Sequence, residues 1–182
     1  MDKPSRKNYR IPQYDYSQNG VYFITICTQH RIPLLSKILP CTHVGTPVPG
    51  CPGTMYEEGT SVTGVELLPC GQTADKIIQQ LNAFYAELSI DKYVIMPDHI
   101  HMLITIDKPD GHPGTGVPTK RTSRLAQFVS TFKRFCNKEY GSNIWQSRYY
   151  DHVVRNQQDY NEIWEYIEYN PTKWLLTHQK PR

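Results

Sequence analysis

Two histidines separated by one residue, in His99-Ile100-His101, are the residues of this sequence most suited to chemistry. On a β-strand, side chains alternate between faces, so both imidazoles would lie on one face and Ile100 on the other. Imidazoles placed side by side can bind a divalent metal ion. With seven histidines in 182 residues, such a pair also arises by chance. Hydrogen bonds to polar neighbours can satisfy it without metal.

A tyrosine and an asparagine four residues apart, Tyr166 and Asn170, form a second pattern of interest. Residues four apart share one side of an α-helix, which would then carry a phenol and a carboxamide. Ile163 and Ile167 can pack this helix on a sheet and leave Tyr166 at the edge of the core, facing the histidines. The chain has 13 tyrosines, and tyrosine commonly buries its ring while its hydroxyl stays wet. Spacing alone therefore does not select Tyr166.

The elements that position these residues follow from hydrophobic periodicity and from turn residues. We predict strands over Val21–Thr28, from near Tyr93, and over His99–Ile106, and helices over Thr73–Leu88, Ser123–Tyr140 and Gln158–Tyr169. The residues of the second helix expected to face the core are Leu125, Phe128, Val129, Phe132 and Phe135. Pro171 is expected to end the third helix, because proline disfavours helical geometry in the residue before it.

Two stretches rich in proline and glycine, Pro40–Pro69 and Asp107–Thr119, interrupt these elements. Neither a helix nor a central strand persists at such a density of proline and glycine. Both stretches are therefore predicted to be loops. The order of strands and helices is typical of an α+β fold. We predict that residues 1–182 form a single domain with loop insertions at 40–69 and 107–119.

The composition excludes several classes of protein. Lys and Arg number 20 against 17 Asp and Glu, a net charge of +3, and no apolar run approaches the ~18 residues of a membrane span. The basic N-terminus has no apolar stretch behind it, so a signal peptide is not predicted and the protein is expected in the cytoplasm. Five cysteines without a Cys-x-x-Cys pair argue against a zinc ribbon. Signatures of zinc proteases, P-loop NTPases and serine hydrolases are lacking.

Segments along nearly the whole chain carry the pattern of a known family. They are Tyr14-Asp-Tyr-Ser17 with Tyr22-Phe-Ile-Thr-Ile-Cys-Thr28, then Val94-Ile-Met-Pro-Asp-His-Ile-His-Met-Leu103, then Ile144-Trp-Gln-Ser-Arg-Tyr-Tyr-Asp-His152 with Arg155-Asn156, and Tyr166-Ile-Glu-Tyr-Asn-Pro171. In these segments the sequence resembles the small single-tyrosine HUH transposases, and most closely the REP-associated tyrosine transposases of the IS200-like superfamily. Four segments in the family's order are far less expected by chance than one histidine pair.

This resemblance implies a ferredoxin-like HUH-endonuclease fold, an antiparallel sheet with helices packed against it and the histidines on a central strand. It implies His99, His101 and Asn170 as ligands of a divalent metal, Mg²⁺ or Mn²⁺, and Tyr166 as the nucleophile. A metal ion held in this way polarises the scissile phosphate. In the family that the sequence resembles, the tyrosine takes the 5′ phosphate in a covalent bond and leaves a free 3′ hydroxyl, so that rejoining the DNA needs no ATP.

The implied partner is single-stranded or palindromic hairpin DNA, bound by a monomer or homodimer without a membrane. Lysine and arginine neutralise phosphates, and arginine stacks on unpaired bases. The basic residues expected to contact DNA are Lys120, Arg121, Arg124, Lys133, Arg134, Arg148 and Arg155. Trp145 is expected either to stack on a base or to lie in the core. Two other functions stay open: a host-retained hairpin-binding protein that no longer cuts, and a metal-dependent phosphoesterase that uses activated water.

Overall fold

The computed structural model describes residues 18–41, 61–107 and 123–178 of the chain. The strands in these ranges are β1 (Gly20–Cys27), β2 (Ser36–Cys41), β3 (Ser61–Leu67), β4 (Leu88–Ile95), β5 (His99–Ile106) and β6 (Tyr150–Val154). The helices are α1 (Pro69–Phe84), α2 (Arg124–Tyr140) and α3 (Gln157–His178). None of these three helices is both long enough and apolar enough to cross a membrane.

Four strands form the main sheet, in the order β4-β5-β1-β6, and all neighbours are antiparallel. Apart from the separate β2–β3 pair, the chain order is β1, α1, β4, β5, α2, β6, which is the βαββαβ arrangement of ferredoxin-like folds. The predicted α+β fold, an antiparallel sheet with helices packed against it, is confirmed. Because β5 lies between β4 and β1, the histidine pair is on a central strand, as expected.

The sheet is apolar on both faces, and the two faces are covered by different helices. On one face Ile24 and Ile100 pack with buried residues of α1 and α2 in the main core. On the other face Phe23 and Leu103 pack against Ile167 of α3. Side chains alternate along a strand, so the second face also receives every other residue of β5 from His99 onward. The helix that carries Tyr166 therefore covers the histidines.

The bounds of α1 differ from the predicted ones at both ends. α1 begins at Pro69, where proline is tolerated at the first helical turn, and it ends before Leu88, which is the first residue of β4. α2 ends at Tyr140 as predicted and begins one residue later than predicted, because Ser123 is its N-cap: the Ser123 hydroxyl accepts a hydrogen bond from the Ala126 amide. The prediction for Phe135 is wrong, since this ring is 39% exposed and Cys136 is buried in its place.

The prediction that Pro171 ends the third helix is also wrong, because α3 continues through it to His178. A proline inside a helix removes one backbone hydrogen bond and costs about 3 kcal/mol. Tertiary packing offsets this cost, since Pro171 and Leu175 are both buried and α3 contacts both strands of the β2–β3 pair. Asn170 is consequently inside a continuous helix, one turn after Tyr166.

The first predicted insertion is narrower than the sequence suggested. Strand β3 (Ser61–Leu67) lies inside 40–69 and pairs with β2 along its length in a separate two-stranded sheet, so the prediction that the whole stretch is a loop is wrong. Pairing with a neighbouring strand stabilises an extended segment despite its glycine. Residues 42–60, like 108–122 of the second insertion, lie outside the described residues. The single domain over 1–182 stays a prediction.

Shortening residues 42–60 is expected to leave the fold intact. Cys41 pairs directly with Ser61, so a short Asn-Gly-type turn can join the two strands. We expect the midpoint of thermal unfolding to stay within a few degrees of that of the parent protein. Extending the deletion to Val65 removes most of β3, uncovers the tail of α3 and should lower that midpoint clearly. Equal midpoints for the two deletions would contradict a stabilising role for the β2–β3 pair.

Candidate active site

The two histidines begin β5 and face α3. His99 is 7% exposed and His101 is 4% exposed, while Ile100 between them packs in the core on the opposite face. The sequence prediction that both imidazoles share one face is confirmed. Their Nε2 atoms lie 3.0 Å apart. The two rings therefore converge on one point between the sheet and the helix.

Each imidazole is oriented through its other nitrogen. Nδ1 of His99 lies 2.5 Å from a carboxylate oxygen of Asp98, and Nδ1 of His101 lies 2.8 Å from the hydroxyl oxygen of Thr25. A carboxylate can only accept a hydrogen bond, so His99 carries its proton on Nδ1 and presents a lone pair at Nε2. Partners of this kind fix the ring orientation of histidines that bind metals.

Neither Asp98 nor Thr25 is among the site residues predicted from the sequence. Asp98 directly precedes the histidine pair, but a carboxylate beside a histidine is too common to single out. Thr25 is opposite His101 in the pairing of β1 with β5. Thr25 could be identified only from the register in which β1 pairs with β5, and no local feature of the sequence reveals that register.

Burial keeps both imidazoles neutral. Together with smaller contributions from His99 and Arg31, it lowers the pKa of His101 from 6.5 to about 3. Burial also lowers the pKa of His99, although the hydrogen bond and the negative charge of Asp98 act in the opposite direction. Only the neutral imidazole has a free lone pair for a metal ion. Both side chains are therefore in the ligand form at neutral pH.

The lowered pKa of His101 makes the folded state sensitive to acid. Between pH 6.5 and about 3 the unfolded chain binds a proton on this side chain and the folded chain does not, so stability falls as pH falls through that window. Between pH 7 and pH 4.5 we expect the wild type to lose about 2 kcal/mol more of its unfolding free energy than His101→Gln. The unfolding free energy of both proteins is measured by urea unfolding in the presence of a chelator. If the unfolding free energy changed equally with pH in both proteins, a neutral, buried His101 would be contradicted.

Tyr166 lies on α3 directly above the histidines. Its hydroxyl oxygen is 3.5 Å from Nε2 of His101, and its ring meets His101 and Phe23 edge to face at centroid distances of 5.2 Å and 5.9 Å. Ile167, the next residue, is buried on the sheet and fixes the rotation of the helix. Tyr166 is nevertheless 41% exposed. The phenol thus has one edge against His101 and another open to solvent.

The residues present suit a divalent metal ion. The 3.0 Å between the two Nε2 atoms is compatible with two ligands that share one ion at about 2.1 Å each. Asn170 is buried on α3, one turn from Tyr166, and its amide oxygen is a suitable third ligand. Over residues 18–41, 61–107 and 123–178, no group of three or more His, Cys, Asp or Glu side chains is arranged to hold a metal.

A shallow cavity of about 280 Å³ opens on the outer side of Tyr166. It is lined by Glu162, Glu165, Tyr166, Tyr169, Asn170 and Lys173. The charges are divided along the helix, with the glutamates on the N-terminal side of Tyr166 and Lys173 on the C-terminal side. The ammonium nitrogen of Lys173 is 5.9 Å from the centre of the Tyr166 ring. A phosphate would approach most favourably from the Asn170 and Lys173 side.

The neighbouring tyrosines have other contacts. The hydroxyl of Tyr160 donates to Asp91, and its ring stacks on Trp164. Tyr169 lines the same cavity as Tyr166 and is 41% exposed. Tyr149 lies beneath the ammonium group of Lys133, 5.7 Å from it. Tyr166 combines exposure with a hydroxyl next to the histidines.

The basic residues predicted to contact DNA have different surroundings. Lys120 and Arg121 lie outside the described residues, and Arg124 pairs with Glu87 at 3.0 Å. Lys133 donates to the backbone carbonyls of residues 146, 147 and 148, and burial lowers its pKa to about 8. The remaining three are exposed: Arg134, Arg148 and Arg155. Trp145 is 1% exposed and packs on Phe132, which places it in the core.

Residues 69–170 match the sequence profile of the family described as "Transposase IS200 like". The chain belongs to this family. The matched range covers α1, β4, β5, α2 and β6 and ends at Asn170, so it includes all four of the predicted catalytic and metal-binding residues.

Individual proteins are similar to this chain over different extents. It is 27% identical over 183 residues to an uncharacterised protein of Haemophilus influenzae, which covers 93% of this chain and 89% of that protein. It is 32% identical over 84 residues to a REP-associated tyrosine transposase of Escherichia coli K12, which covers 46% of this chain and 44% of the E. coli protein. The resemblance to this family found in the sequence is confirmed.

The fold is also that of a solved transposase. The structure of a REP-associated tyrosine transposase bound to a REP hairpin is similar with a TM-score of 0.55 at 20% sequence identity. The similarity covers 95% of this chain and 74% of that one. At 20% sequence identity this similarity is evidence for the fold alone.

Proposed function

We propose that this protein is a metal-dependent transposase that cleaves and rejoins single-stranded DNA through a covalent bond between Tyr166 and a 5′ phosphate. The observation that carries the proposal is the 3.5 Å between the Tyr166 hydroxyl and Nε2 of His101. A nucleophile next to two neutral imidazoles suits metal-assisted phosphoryl transfer. Membership of the IS200-like family supports the same function.

His99, His101 and Asn170 are proposed to hold the divalent ion, Mg²⁺ or Mn²⁺. When bound, the ion supplies Lewis-acid polarisation of the scissile phosphate. The protein's part is to keep the two Nε2 atoms aimed at one point, which the contacts of His99 with Asp98 and of His101 with Thr25 do by orienting the rings. Burial excludes water from the inner side and strengthens electrostatic interactions there.

Tyr166 is proposed to attack the phosphorus in line with the departing 3′ oxygen. The new bond joins its hydroxyl oxygen to phosphorus, and the bond from phosphorus to the 3′ oxygen breaks. The phenol proton passes to water on the exposed side, and the leaving 3′ oxygen takes up a proton to become a hydroxyl. One phosphate ester replaces another, so a 3′ hydroxyl of a second strand can reverse the step and join DNA without ATP.

The proposed substrate is single-stranded DNA next to a palindromic hairpin. A similar solved transposase is bound to a REP hairpin, and this chain carries exposed arginines at 134, 148 and 155 that can neutralise phosphates. The protein is proposed to act in the cytoplasm. The protein acts as a monomer or a homodimer, which sedimentation of the DNA complex distinguishes.

Cleavage of labelled DNA tests the proposal. The protein is incubated in Mn²⁺ with a pool of random single strands labelled at the 3′ end, because the 3′ fragment is the one that stays on the tyrosine. We expect label at the size of the protein on a denaturing gel, none with the same pool made double-stranded, and none in chelator. Cleaved fragments without an adduct would instead indicate a phosphoesterase. Binding without cleavage would indicate a retained hairpin-binding protein.

A further inference from the structure

Two consecutive residues after β1 have an unusual backbone conformation. His30 has φ 54° and Arg31 has φ 58°, and neither is glycine. Side chains with a Cβ rarely adopt this left-handed region, because Cβ crowds the following carbonyl. Such a conformation persists only where the surrounding structure enforces it, and it is concentrated at functional sites. The turn over Gln29–Arg31 therefore needs an explanation.

Hydrogen bonds connect the turn to Asp98, the residue that directly precedes the histidine pair. Thr28 is fully buried, and its hydroxyl lies within hydrogen-bonding distance of the carbonyl oxygens of Ile32, at 2.9 Å, and Asp98, at 3.0 Å. The Thr28 amide donates to the same Asp98 carbonyl at 2.9 Å. The amide of Arg31 donates back to the carbonyl of Thr28. Arg31 is thus held at a defined position next to Asp98.

The guanidinium group of Arg31 lies beside Asp98, the residue that directly precedes the histidine pair. One of its nitrogens is 3.4 Å from an oxygen of Asp98, and the same oxygen is 2.5 Å from Nδ1 of His99. The guanidinium group therefore lies next to the carboxylate that sets the orientation of His99.

The contact with Asp98 does not account for the strained turn. The Arg31 side chain is 53% exposed, and ion pairs at such positions contribute little to stability. The contact engages one nitrogen, whereas a guanidinium group has five N–H donors in a planar fork that matches the oxygens of a phosphate. Among the described residues the guanidinium group makes this one hydrogen bond, so its remaining donors can bind a ligand.

We propose that Arg31 binds the scissile phosphate of the DNA and stabilises the negative charge that builds up on it as Tyr166 attacks. In this proposal the Asp98 carboxylate orients two side chains, the imidazole of His99 and the guanidinium group of Arg31. This inference rests on the proposed strand cleavage and adds a catalytic residue to it.

Two substitutions at Arg31 test the inference. Arg31→Gly removes the guanidinium and suits the positive φ, so the thermal midpoint should not fall. Arg31→Lys keeps the charge and loses the fork. The charge-matched control is Lys76→Ala, since Lys76 is exposed on α1, which covers the other face of the sheet. Each protein is assayed for the rate of adduct formation in Mn²⁺ and for Mn²⁺ affinity by calorimetry.

For Arg31→Gly we expect adduct formation to slow by about 10²–10³-fold, the usual loss for one donor to a developing oxyanion. Arg31→Lys should fall between this variant and the wild type, and Lys76→Ala should equal the wild type. Mn²⁺ affinity should be unchanged in Arg31→Gly, whereas Asp98→Asn should weaken it by about 10–100-fold. The affinity measurement separates binding of the phosphate from support of His99.

Three results would overturn the inference. The first is a rate for Arg31→Gly within threefold of the wild type while the wild type forms adducts. The second is a loss of Mn²⁺ affinity in Arg31→Gly as large as that in Asp98→Asn, which would make Arg31 only a support for the carboxylate. The third is the absence of any adduct from the wild type, which refutes the proposed cleavage and the role of Arg31 with it.

Discussion

Tyr166→Phe is expected to abolish both nicking and the covalent adduct, with a fall in rate of at least about 10³-fold, because phenylalanine has no nucleophilic oxygen. The ring still meets His101 and Phe23, and the lost hydroxyl has only a long contact of 3.5 Å to His101. We therefore expect the free energy of unfolding to change by less than about 0.5 kcal/mol. Activity is measured on denaturing gels and stability by urea unfolding.

Tyr160→Phe is the matched control. It removes one hydroxyl from the same helix, but that hydroxyl donates to Asp91 and lies outside the proposed machinery. We expect full activity and a loss of about 1 kcal/mol from the broken hydrogen bond. Normal cleavage by Tyr166→Phe would contradict the assignment of the nucleophile. Loss of the adduct in Tyr169→Phe alone would shift that role to the neighbouring tyrosine in the cavity.

Replacing either histidine by alanine is expected to remove metal binding and cleavage together. Each substitution deletes one of the two Nε2 atoms that lie 3.0 Å apart, and the loss of a ligand removes polarisation of the phosphate. Cleavage in Mg²⁺ or Mn²⁺ should fall by at least about 10²-fold, the scale of losing one major electrostatic contact in a site. Calorimetry with Mn²⁺ gives the affinity independently of activity.

DNA binding should survive in the same variants. It depends on phosphate contacts spread over many cations, and neither His99 nor His101 is charged at neutral pH, since burial lowers the pKa of both. Fluorescence anisotropy with a labelled single strand is expected to give a dissociation constant within a few-fold of the wild type. Full cleavage by the double alanine variant in chelator would contradict a metal held by these histidines.

The histidine pair and its strand could be predicted because local patterns decide them. The β-favouring residues around His99 and His101 predict a strand. Because side chains alternate between the two faces of a strand, both histidines must then lie on the same face. The bounds of β5 agree with the prediction at both ends. The buried face of α2 also follows from the spacing of its apolar residues. Phe135 is the exception, because the side of the helix that contacts the core is narrower than the set of apolar residues on it.

Long-range contacts decided the features that could not be predicted. The local rule for Pro171 is outweighed by burial of that ring and of Leu175 against the rest of the domain. β3 forms because β2 is available to pair with it. Thr25 and Arg31 reach the site through strand pairing and a turn fastened to Asp98. No pattern within either segment indicates these contacts.

Mapping the covalent adduct tests the central claim most directly. Wild-type protein is reacted with single-stranded DNA in Mn²⁺, the DNA is trimmed with nuclease, and tryptic peptides are sequenced by mass spectrometry. The account predicts a nucleotide linked through its 5′ phosphate to Tyr166, and the same peptide unmodified in Tyr166→Phe. A nucleotide on Tyr149, Tyr150, Tyr160 or Tyr169 would contradict the assigned nucleophile, and wild-type cleavage with no adduct on any tyrosine would contradict the mechanism.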